Sequence, residues 1–75
     1  MQAILAAHQA MLGSNVGQFS DNWKIARSVV NRAEQEQIPK EVLKSALQEI
    51  LEGKVAFPPR ASNIPEKARA LLAKL

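Results

Sequence analysis

An all-α fold is predicted for this chain, a compact bundle of three to four short helices, on three observations. Apolar residues recur at spacings of three and four nearly everywhere, which places them on one side of a 3.6-residue helix. The period-two alternation and β-branched runs of strands are missing. Helix-ending residues (Gly13, Pro39, Gly53) fall between the periodic segments instead of inside them.

The first helix is expected over about 2–12. Ile4, Leu5, His8, Met11 and Leu12 fall on one side and Ala3, Ala6, Ala7 and Ala10 on the other, with Gly13 as terminator. Ser14 to Phe19 reads as a loop, with Val16 and Phe19 free to plug the core. A second helix is expected over about 21–37, capped by Ser20 or Asp21, whose oxygens can accept from first-turn amides. Its buried stripe is Trp23, Ala26, Val29, Val30 and Ala33, with Ile25 at the border, and it must stop before Pro39.

The third helix is expected over about 39–52, since Pro39 lacks an amide that the first turn would leave unbonded anyway. Leu43, Ala46, Leu47, Ile50 and Leu51 form its core face. Lys54 to Ser62 is the longest irregular stretch, stiffened by Pro58 and Pro59, with Val55 and Phe57 folding back onto the core. A fourth helix is expected over about 64–75, with Asn63 as cap, Glu66 in capping-box spacing, and Ile64, Ala68, Leu71, Leu72 and Leu75 inside.

At 75 residues the chain makes one helical domain over 1–75, either whole or cut from a longer protein. A domain this small buries only roughly 60% of its unfolded surface, so it has little chain to spare for a deep cleft. There is no cysteine, which excludes disulfides and thiolate metal sites, and the expected setting is cytoplasmic. No apolar run approaches the ~20 residues needed to span a bilayer, so no membrane association is expected.

Catalytic chemistry finds little support. The single histidine, His8, has no cysteine to pair with, and Asp21 is its nearest carboxylate in sequence. A partly buried imidazole bonded to a backbone carbonyl is the plainer expectation. One His without Cys or a carboxylate cluster gives no metal-ligand set, and the three glycines are too scattered to cradle phosphate. The chain is therefore expected to be a non-catalytic binding domain with no cofactor, no metal and no small-molecule substrate.

Charge placement suggests where it binds. The net charge is +3, and every Asp, Glu, Lys and Arg lies at or beyond Asp21. The polar side of the second helix carries Lys24, Arg27, Ser28, Asn31, Arg32 and Gln35, residue types that meet phosphates and base edges. Arg60, on the stiff loop after two prolines, adds a candidate phosphate contact. The third helix instead turns out Glu41, Lys44, Ser45, Gln48, Glu49 and Glu52, a net acidic face that phosphates repel. A helix-turn-helix laid on Val29–Ile50 would make that acidic helix the reader and put Gln37 where Gly is usual, so recognition is expected through the second helix. The leading expectation is nucleic-acid binding, DNA in particular. The alternative is a protein-interaction module, an adaptor, inhibitor or homodimer, whose uncharged first helix offers Ile4, Leu5, His8 and Met11 as the interface.

Overall fold

Four α-helices organise the chain in the computed structural model, which describes residues 1–75 and contains no strand. They are α1 (Gln2–Gln9), α2 (Asn22–Arg32), α3 (Lys40–Leu51) and α4 (Asn63–Lys74), with 3₁₀ turns at Val16–Gln18 and Pro59–Ala61. Each helix packs on two others: α3 lies against α1 and α4, and α2 closes the ring against the same pair. Sixteen buried apolar residues form one continuous core.

The inward stripe of α1 is Ile4, Ala7, His8 and Met11, at i, i+3, i+4 and i+7. This corrects the expectation that all four alanines face away, because the small Ala7 methyl is fully buried. It also corrects the placement of Leu12, whose side chain is 86% exposed. The helix ends at Gln9, not near residue 12, and Leu12 belongs to the turn that closes at Gly13 with φ +75°. That left-handed conformation suits glycine, which has no Cβ to clash with the preceding carbonyl.

No residue of its own caps the start of α1. The carboxylate of Glu49, on the last turn of α3, does so from 45 residues away: Oε1 accepts from the Ile4 amide at 3.0 Å and Oε2 from the Ala3 amide at 3.2 Å. The Met1 ammonium lies 3.3 Å from the same carboxylate. Two amides that α1 leaves free are thereby satisfied, and a negative charge sits at the positive end of the helix dipole. Glu49 was expected on the solvated acidic face of the third helix, and its half-buried capping position corrects that.

In α2 the buried residues are Ile25, Ala26, Val29 and Val30, followed by Ala33 in the turn. Ile25 and Trp23 have exchanged their expected roles: Ile25 is inside and Trp23 is half-buried at the edge. Asp21 stands at the N-cap with extended backbone, but its carboxylate bonds Ser20 and faces Lys24 instead of capping. The helix stops at Arg32, five residues before the expected end. Glu36 leaves the helical path to accept from the Leu12 amide at 2.9 Å, while Arg32 donates to the Leu12 carbonyl at 2.9 Å and to Glu36 at 2.7 Å. This three-way clamp ties the end of α2 to the turn after α1.

The core face of α3 is Leu43, Ala46, Leu47 and Ile50, as its spacing predicts, with Leu51 half-buried beside it. Pro39 is the residue before the helix, and its carbonyl accepts from Leu43 at 2.9 Å. Gly53, at φ +79°, ends it. Val55 folds back into the core, with Phe57 packed against it. α4 begins at Asn63 itself, without a side-chain cap, and buries Ile64 and Ala68. Leu75 is exposed, unlike the inner position its spacing suggested.

Candidate nucleic-acid interface

Trp23, Lys24 and Arg27 lie within the first two turns of α2, and the helical period brings them to one side. The Trp23 side chain is half-buried and packs against the core. Three cations gather on it: the Arg27 guanidinium lies 4.9 Å from the ring centroid, that of Arg60 5.5 Å and the Lys24 ammonium 5.7 Å. Arg60 comes from the Pro59–Ala61 turn, which Pro59 and the preceding Pro58 stiffen.

The ring quadrupole attracts each cation by about 0.5–1 kcal/mol at an accessible site, which offsets part of their mutual repulsion. Only Lys24 has a carboxylate nearby, Asp21 at 3.7 Å. Arg27 and Arg60 make no ion pair. Two guanidiniums without counter-charge on an aromatic surface form a local positive potential.

Further along α2, Asn31 is exposed, and its side-chain oxygen accepts from Lys67 of α4 at 3.5 Å. Beside it a groove of about 320 Å³ runs between α2 and α4, floored by Val30, Ala70 and Leu71 and edged by Lys67 and Lys74. An ion pair of Lys74 with Glu34, 3.4 Å long, lies across its far end.

The residues proposed from the sequence divide accordingly. Lys24, Arg27, Asn31 and Arg60 are brought to one surface, with Ser28 half-buried among them. Arg32 is withdrawn, because the Leu12 carbonyl and Glu36 occupy its guanidinium. Gln35 lies beyond the end of α2, in the turn, and so is not carried on the helix face. Trp23, expected in the buried stripe of the second helix, joins the surface, as does Lys67, one of the C-terminal basic residues (with Lys54, Arg60, Arg69 and Lys74) whose charge can add to a positive surface. Cations at one and four residues after a tryptophan were the legible signal for the first. For the second, its basic side chain was legible, but not its meeting with Asn31 across 36 residues.

The interface proposed on α1 is corrected. Ile4, His8 and Met11 are at most 3% exposed within the single chain, and Leu5 is half-buried. The outer side of α1 is Gln2, Ala6, Gln9 and Ala10. Four helices in a ring are enough to cover the apolar stripe completely.

His8 is held in a structural role. Its Nδ1 is 2.6 Å from the Ser14 hydroxyl, a side-chain partner where a backbone carbonyl was expected, and its ring meets Phe19 edge-on at 5.4 Å. Burial, helped by the Arg32 charge, pushes the imidazole pKa below its usual 6.5, which keeps the ring neutral. The buried Nε2 has no partner. No three His, Cys, Asp or Glu side chains come together as a metal site, and no helix is long and apolar enough to cross a membrane. Set beside known proteins, the chain matches no protein family, no curated protein and no solved structure.

Proposed function

We propose that this protein is a non-catalytic nucleic-acid-binding domain, taking DNA through the surface formed by α2 and the Pro59–Ala61 turn. One observation carries the reading: Arg27 and Arg60, from separate elements, meet over Trp23 with no carboxylate to neutralise them. Phosphates supply that missing counter-charge, and guanidiniums meet them with two-pronged hydrogen bonds. Asn31 and Lys67 extend the same surface with an amide able to pair with a base edge and a second-row cation. A cysteine-free chain needs no oxidising compartment, so a cytoplasmic setting fits this role.

Anisotropy of a labelled oligonucleotide, followed over a salt series, tests the proposal. Binding should weaken steeply with salt, because displaced counterions must return to the phosphates. The double variant Arg27→Ala, Arg60→Ala should weaken binding and flatten the logarithmic salt slope by about two, one for each phosphate contact removed. An unchanged slope in a folded double variant would exclude this surface.

One observation favours a second reading, a protein contact at the turn after α1. Leu12 projects an 86% exposed side chain, while Arg32 and Glu36 hold its backbone on both sides. Ala10 flanks it, also exposed. Homodimerisation there should be lost in Leu12→Asp without change in the melting temperature, as read by sedimentation. A wild-type chain that sediments as a monomer at all concentrations removes the homodimer.

A further inference from the structure

We infer that the nucleic acid this surface takes is a single strand, laid from the Trp23 cluster into the groove between α2 and α4, rather than a duplex read in its major groove. The inference rests on the nucleic-acid reading above and narrows its substrate.

The first argument is steric. A helix with its side chains is roughly 10–12 Å across and the major groove about 12 Å wide, so a reading helix must stand clear of its neighbours. α2 does not. It packs on α1 and α4, Lys67 of α4 reaches Asn31 in the middle of its exposed face, and Arg60 of the proline-stiffened turn covers the ring at its start. Two of the six polar residues expected on that face are also lost to it, Arg32 to its clamp and Gln35 to the turn. Too few side chains remain on α2 alone to read a run of base pairs.

The second argument is chemical. Interleaved cations and aromatic surface are what an unpaired strand binds: phosphates lie on the cations while bases stack on rings and guanidinium planes. Trp23 with Arg27 and Arg60 offers that combination in one place. From there Asn31 leads to a groove of about 320 Å³ with an apolar floor of Val30, Ala70 and Leu71, Lys67 on its rim, and Lys74 paired with Glu34 at its far end. An unpaired base has an apolar face for such a floor and a polar edge for the Asn31 amide. A paired base keeps a groove edge for the amide, but both its faces are stacked and closed to such a floor.

The test compares a labelled mixed-sequence DNA strand of roughly twelve nucleotides with the duplex of the same sequence, at one low salt concentration. The strand should bind at least roughly tenfold more tightly than the duplex, and it should quench the emission of Trp23, the only tryptophan, which reports stacking directly. Ala70→Leu, an exposed position whose larger side chain fills the groove, should cut strand affinity by roughly tenfold and leave duplex affinity unchanged. Trp23→Leu should weaken the strand similarly. If that variant loses its helical circular dichroism, the Ala70→Leu result decides alone. Duplex binding as tight as or tighter than the strand overturns the inference and leaves the nucleic-acid reading standing. Strand binding without change in Trp23 emission overturns it as well. Failure of both forms to bind at low salt sinks the inference together with the reading it rests on.

Discussion

Truncating Ile4 to alanine is expected to destabilise the protein by about 2–5 kcal/mol, the usual cost of emptying a fully buried aliphatic site. The Ile4 side chain has no exposed surface and lies where α1 meets α3. A chain of this size has total stability on the order of 4–11 kcal/mol, so the variant should lose a large part of its folded population. Urea unfolding followed by helical circular dichroism measures it directly. Leu12→Ala is the matched control: the side chain is 86% exposed, so its loss should shift the midpoint little. The pair also separates the two possible roles of α1. An Ile4→Ala protein as stable as the wild type would mean that α1 is a detachable surface element and not part of the core.

Glu49→Ala should cost about 1–2 kcal/mol, in the range of a lost helix cap. The substitution leaves the Ala3 and Ile4 amides without an acceptor at the start of α1, and removes the negative charge facing the Met1 ammonium. Glu49→Gln should recover part of the loss, because its amide oxygen still accepts one bond but carries no charge. The loss should also depend on pH. Burial pushes the Glu49 carboxyl upward, but the Ile4 and Ala3 amides and the ammonium outweigh it and hold its pKa below the ordinary 4.5. The Leu12 amide, then Arg32, hold Glu36 below the same value. Groups depressed in the folded state contribute stability above their unfolded value and lose it as pH falls through the folded one. Wild-type stability should therefore drop below about pH 4.5, and the Glu49→Ala variant should show a shallower drop there. His8 opens an earlier window, since its depressed pKa makes the folded state resist a proton that the unfolded chain accepts below 6.5. Urea midpoints from about pH 2.5 to about pH 8, spanning the carboxylate and imidazole ranges, check both. Equal acid sensitivity of wild type and Glu49→Ala would show that the cap does not govern this region.

The helical class, the number of helices and the inner face of α3 were legible because each depends on local spacing. Leu43, Ala46, Leu47 and Ile50 recur at helical intervals and are buried, and Gly53 ends the helix by its left-handed backbone. Pro39 and Gly13 likewise marked their boundaries to within a few residues. The candidate surface was partly legible, since Lys24, Arg27 and Asn31 share one side of any helix drawn through them.

What tertiary structure alone decided are the pairings between distant residues. Glu49 became a cap for α1, Arg32 and Glu36 closed on Leu12, and Arg60 joined Arg27 on Trp23, across separations that no periodicity encodes. The same packing chose the rotation of α1, burying Ala7 and His8 and leaving Leu12 outside, although the apolar count would have favoured Leu12 within. Spacing along a chain states which residues share a face. Which face goes inward, and which charges meet, follows from how all four helices together cover their apolar surface and satisfy the amides at their ends.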